Sequence, residues 1–130
     1  MNDSHHDAPV SSADDDATRE RLADARDATS AQIAALSREY DGIVEANSLV
    51  AVDDEHDPEG SSTAFERAHI GALLGQARDH LVALDLALER LDRGGYGRCE
   101  VCGEPIPQER LDVLPAATTC VRCAAASRTR

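Results

Sequence analysis

Residues 99–123 read CEVCGEPIPQERLDVLPAATTCVRC, and this stretch decides how the rest of the chain is read. It holds all four cysteines of the protein, as Cys99-Glu100-Val101-Cys102 and Cys120-Val121-Arg122-Cys123. Seventeen residues separate the two C-x-x-C pairs, which falls inside the C-x₂-C-x₁₅₋₂₀-C-x₂-C spacing of a zinc site. Four thiolates from Cys99, Cys102, Cys120 and Cys123 complete a tetrahedral shell and leave no position for a catalytic water. The spacing therefore predicts one structural Zn²⁺ rather than a hydrolytic centre. Between the pairs, Ile106, Leu111, Val113 and Leu114 supply a small apolar patch, and Pro105, Pro107 and Pro115 keep the loop from becoming one long helix. A module of this size is too small to fold on packing alone, so metal binding worth roughly 10–16 kcal/mol is what orders it. It is expected to occupy residues 94–130 and to end in a short helix.

Moving towards the N-terminus, Gly94-Gly95 punctuates the start of the module, and residues 63–93 carry a helical pattern. Ile70, Leu74, Ala77, Leu81, Leu84, Leu88 and Leu91 recur at alternating steps of four and three, a heptad seam. A second such seam runs through Leu22, Arg26, Thr29, Ile33, Leu36, Tyr40, Ile43, Asn47 and Val50, within a segment from about Asp16 to Ala51 that has no proline and one glycine. Arg26, Thr29 and Asn47 weaken it, which suits one partner helix better than burial on all sides. Between the helices lies VDDEHDPEGSS, residues 52–62, where Asp53, Asp54, Asp57 and Glu59 join Glu55 in one acidic run, and Pro58 and Gly60 are breakers. Thr63 with Glu66 reads as a capping box that opens the second helix, with Asp57-Pro58 as an alternative cap and first turn. Helices joined by a loop this short run antiparallel, so residues 16–93 are expected to form a coiled-coil hairpin about 45 Å long with the acidic loop at its tip. The fold class is mostly α. Residues 1–15, polar and interrupted by Pro9, read as a disordered acidic tail.

Composition restricts the function. The chain has 130 residues, 42% apolar, yet only three aromatics, Tyr40, Phe65 and Tyr96, a thin supply for a thick globular core. Its 25 acids outweigh 13 basic residues, all of them arginine, for a net charge of −12. Affinity for duplex nucleic acid comes from neutralising phosphates, so direct sequence-specific DNA binding is not expected. No apolar run is long enough to span a membrane, and no basic leader with an apolar core opens the chain, so a cytoplasmic location and no membrane partner are expected. In that reducing compartment C-x-x-C pairs bind metal or do redox work rather than form structural disulfides. His5, His6, His56, His69 and His80 read as solvated side chains. No nucleophile, base and orienting group occur together, so the chain is not read as an enzyme.

Gly95-Tyr96-Gly97-Arg98-Cys99-Glu100-Val101-Cys102-Gly103, followed by Ile106-Pro107, Arg110-Leu111, Pro115 and Cys120 to Cys123, resembles the C4 zinc-finger signature of the DksA/TraR family of RNA polymerase regulators. The order of parts, long coiled coil first and finger last, is similar too, and the two together cover residues 16–130. The resemblance implies a non-enzymatic factor that inserts its coiled coil into the secondary channel of RNA polymerase, brings the tip near the active centre and alters promoter-complex stability. The tip departs from the family pattern Asp-x-x-Asp-x-Ala. Asp57-Pro58 matches its beginning and Glu66-Arg67-Ala68 resembles its end, but Glu59 to Phe65 separates them. The tip residues that the resemblance nominates for polymerase contact are Asp53, Asp54, Asp57, Glu59, Glu66 and Arg67. Synergy with the alarmone ppGpp is a further family property, and the altered tip weakens its transfer. Two other readings stay open beside this one: a zinc-capped coiled-coil adaptor, and a thiol redox or zinc-handling protein.

Overall fold

In the computed structural model the backbone is described for residues 3–50 and 58–128, and the side chains for 14–48 and 62–128. Four helices follow in order, α1 (Asp3–Val50), α2 (Pro58–Arg93), α3 (Gln108–Val113) and α4 (Val121–Arg128). Among the described residues β pairing is limited to one isolated antiparallel bridge, Arg98 with Pro105. The class is mostly α, as the heptad pattern predicts. No helix among the described residues is long and apolar enough to cross a membrane.

Contacts divide the chain into two units, Met1–Arg26 with Val82–Arg130, and Asp27–Leu81. In the first, Leu22 of α1 is fully buried among Leu84, Ala87 and Leu91 of α2, with Ala25, Leu88, Tyr96 and Ala116 packed against them. Burying a leucine removes roughly 1.5–3 kcal/mol of apolar exposure, so this cluster is the main adhesive between the helices here. Two ion pairs flank it. Arg19 donates to Asp92 at 2.6 Å and Arg26 donates to Asp85, one heptad apart on each helix and in opposite chain directions, which makes the pairing antiparallel. Arg26, a weak point of the seam when read from α1 alone, is matched to an acid on the facing helix. The pairs are 42% exposed or more and contribute on the order of 0.2–1 kcal/mol each. They set register more than they add stability.

In the second unit Ile70, Leu74 and Ala77 are buried, and Ile33, Leu36, Tyr40, Ile43 and Asn47 are half-buried. Every one lies on a seam. The Tyr40 ring lies against Gly71, where a Cβ would come within 3.3 Å of Cε2. Continuing the α2 stripe backwards from Ile70 by three and then four residues reaches Arg67 and Thr63, both half-buried. Val82 and Leu86, off the stripe, are exposed.

Two boundaries differ from expectation. Helix α2 begins at Pro58, not Thr63, so residues 58–62 belong to a helix and not to the expected loop. Proline at the first helical position lacks only an N–H that would be unpaired anyway. The alternative start, with Pro58 in the first turn, therefore describes this end, and Gly60 is tolerated at about 1 kcal/mol. Helix α1 begins at Asp3, which places most of the expected disordered tail inside a helix. Pro9 costs that helix one backbone bond. Residues 51–57, most of the expected tip loop, lie outside the described residues.

The other end of α2 is closed by Gly94, at φ +85°. Gly94 N–H donates to Leu91 O at 3.2 Å and Gly95 N–H to Arg90 O at 2.8 Å, the paired bonds of a Schellman cap, which needs a residue tolerant of left-handed backbone. That cap turns the chain directly into the cysteine module.

Candidate metal centre

The first cysteine pair sits on a tight knuckle. Cys99 N–H donates to Glu104 O at 2.8 Å and Gly103 N–H to Cys99 O at 3.0 Å, with Gly103 at φ +79° completing the turn. The flanks are held by the Arg98–Pro105 bridge, by Ile106 N–H donating to Gly97 O at 2.7 Å, and by the Arg98 guanidinium donating to Gly103 O at 3.0 Å. The second pair lies at the start of α4, where Ala124 N–H donates to Cys120 O at 2.9 Å and one helical turn brings Cys120 and Cys123 to the same side. Glu100 N–H donates to Thr118 O at 2.8 Å and so joins the first knuckle to the strand of chain entering the second.

The four Sγ atoms consequently lie within 4.8 Å of one another, and Cys102 and Cys120 stand 3.9 Å apart. None forms a disulfide. A tetrahedral Zn²⁺ with bonds of about 2.3 Å separates its sulfurs by about 3.8 Å, so the cluster fits that ion. Cys99 is buried, Cys120 nearly so, Cys123 half-buried and Cys102 exposed. Below them Ile106 and Leu111 make a core with Cys99 and Cys120, against which Tyr96 and Ala117 pack. Tyr96 also touches the α2 cluster, and its hydroxyl donates to Pro115 O at 2.7 Å. Arg110 Nε donates to Thr119 O at 2.9 Å, which steadies the residue before Cys120. The Tyr96, Arg110 and Leu111 positions of the sequence signature thus each have a structural task.

The thiols do not share charge evenly when no cation balances them. Backbone N–H groups of Cys102 and then Cys120 lower Cys99 to about 6. The Cys123 backbone N–H lowers Cys120. Cys123 is pushed up to about 12, first by the hydrogen bond it shares with Cys120 and then by burial. Arg122, beside the Cys102 thiol, is raised by that contact. Such a cluster binds a thiophilic divalent cation and offers it no open position, so it is built for structure and not for hydrolysis.

The fold brings the four cysteines together and treats the nominated tip residues differently. Asp53, Asp54 and Asp57 lie outside the described residues, and Glu59 is in the first turn of α2 with its side chain outside them. Glu66 is exposed on α2, whereas Arg67 is half-buried on the seam. Sequence reasoning overlooked Arg90, which is buried at the end of α2 with its Nε 3.8 Å from Glu100 Oε2. Its place one residue before the seam position Leu91 was the available signal.

Comparison with known proteins agrees with this geometry. Residues 94–128 match the family model of the prokaryotic dksA/traR C4-type zinc finger, and the chain carries one structural zinc at these cysteines. Over 66 residues it is 41% identical to YteA, an uncharacterized protein of Bacillus subtilis, covering 51% of this chain and 28% of that one. Over 38 residues it is 50% identical to the RNA polymerase-binding transcription factor DksA of Caulobacter vibrioides, covering 29% of this chain and 27% of that one. The chain spans between 27% and 45% of the length of the curated relatives it matches. Among solved structures, transcription factor DksA2 of Pseudomonas aeruginosa superposes with a TM-score of 0.72 at 30% identity, covering 91% of this chain and 85% of that one.

Proposed function

Because the chain belongs to the DksA/TraR family of C4 zinc-finger proteins, we propose that it binds RNA polymerase and regulates transcription. The observation that carries this reading is the likeness to DksA2 across helices and finger together, not across the finger alone. The proposed mode of action is insertion of the paired helices into the secondary channel of the polymerase. The acidic residues around 51–66 then approach the active centre, where carboxylates interact with Mg²⁺ or basic side chains and alter the lifetime of promoter complexes. Asp53, Asp54, Asp57, Glu59, Glu66 and Arg67 are the proposed contact group. The exposure of Glu66 supports its membership, and the half-burial of Arg67 favours a packing role for that residue. In this reading the protein acts in the cytoplasm by binding, carries out no reaction itself, and uses zinc only to hold its fold.

The test is binding to purified core RNA polymerase, paired with transcription from a ribosomal RNA promoter with and without ppGpp. Wild type is expected to bind at micromolar concentration or below and to change transcript yield. A Asp57→Ala, Glu59→Ala, Glu66→Ala variant is expected to bind but to lose most of that change. Absence of binding by wild type at micromolar protein overturns the reading.

A further inference from the structure

Arg90 is the one charged side chain that the fold buries among the described residues, at 9% exposure. Its Nη1 and Nη2 are fully buried and have no hydrogen-bond partner among the described residues. Buried polar groups are almost always paired, so an orphaned guanidinium calls for an explanation. Among the described residues its ion-pair partner is Glu100, whose Oε2 lies 3.8 Å from Nε, close enough for charge compensation and too far for a hydrogen bond. Glu100 lies between two of the cysteine ligands, and its N–H is anchored on Thr118 O at 2.8 Å. Its place is therefore fixed by both halves of the cysteine module. The carbonyl of Arg90 in turn accepts the Gly95 N–H bond that closes α2.

We propose that Arg90 is a positioning residue, a latch through which the closed first cysteine knuckle holds the C-terminal end of α2 by presenting Glu100 to the buried guanidinium. The pair adds little attraction of its own at this distance. Its effect lies in the asymmetry of buried charge: a compensated guanidinium is tolerated, and one stripped of its partner strongly disfavours the packing around it. The end of α2 is thereby made to depend on a carboxylate that only the folded finger puts in place. The inference concerns the joint between helix and finger and is independent of polymerase binding.

Amide hydrogen exchange on the full zinc-loaded chain tests it, read over residues 86–95. The set comprises wild type, E100Q, R90M, the double variant E100Q/R90M and E104Q, each confirmed to hold zinc. E100Q is expected to speed exchange on the order of tenfold, because it leaves the guanidinium uncompensated. In the double variant methionine fills the site without a charge, and exchange is expected to return to within about twofold of wild type. E104Q, which removes an exposed acid of the same knuckle, is expected to change nothing. Unchanged exchange in E100Q, acceleration in the double variant equal to that in E100Q, or equal acceleration in E104Q would each overturn the latch. Should the methionine variants fail to fold, the contrast between E100Q and E104Q decides the matter alone.

Discussion

The proton that Cys123 retains, at about 12 in the cation-free cluster, must leave when zinc binds, whereas Cys99, at about 6, is already a thiolate at neutral pH. Protons therefore compete with the metal, and the sign follows: affinity for zinc falls as pH falls, and falls more steeply below pH ~6, where Cys99 also protonates. Competition with a chromogenic chelator, corrected for the chelator's own protonation, should show more zinc transferred at each lower pH. Packing offers a second prediction. Leu22 is fully buried, so Leu22→Ala should cost about 2–5 kcal/mol in denaturant melts, while Val82→Ala, at an exposed site, should stay within about 0.5 kcal/mol. The metal ligands were legible in the sequence because a C-x-x-C spacing is a local geometric constraint. Arg90 was not, because nothing in the order of residues says that the finger's Glu100 folds back over that turn of helix.

Among the elements, α1 and α2 were legible as seams, since a four-three recurrence of apolar residues survives a polar interruption. The start of α1 was not, and that of α2 was legible only as one of two alternatives. Pro-Glu-Gly-Ser-Ser suits a turn and a helical first turn equally, and only the fold distinguishes them. Arg26 illustrates the same limit from the side of pairing, for an arginine in a seam looks like a defect until Asp85 is known to face it. The helix interiors also contain glycines with room around them. A Cβ at Gly42 or Gly75 would meet nothing within 4 Å. Gly42→Ala and Gly75→Ala should each raise stability by about 0.5–1 kcal/mol, by removing backbone freedom from the unfolded chain. Gly94→Ala should lower it by about 1 kcal/mol, since the left-handed cap position resists a side chain however open the space. Thermal melts of the three variants separate conformational cost from crowding.

On the scale of the whole molecule, charge is the dominant surface property. The net charge of −12 shapes how a partner is met. Association with a basic surface is steered by long-range attraction and screened by salt. Affinity for core polymerase should therefore fall as salt rises from about 50 to about 300 mM, and a bare DNA duplex should show no shift at either salt concentration, as gel mobility would reveal. A salt-insensitive complex would instead place the binding energy in apolar contacts. Family membership was legible from the finger, whose residues are fixed one by one by the knuckle, the core and the Tyr96 and Arg110 tethers. The acidic stretch matches the family pattern only at its two ends, Asp57-Pro58 and Glu66-Arg67-Ala68.

One consequence of the joint around Tyr96 is optical. The protein has no tryptophan, and its two tyrosines are divided between the units, Tyr40 in one and Tyr96 in the other. In a Tyr40→Phe variant all near-ultraviolet tyrosine signal would come from the ring that touches both the helix cluster and the cysteine core. Burial pushes the ionisation of that phenol to higher pH, so its tyrosinate band emerges at higher alkalinity than that of a free phenol and moves back when the surroundings open. The junction of helix and finger thus contains its own chromophore, and its opening and closing can be followed by absorbance without a label.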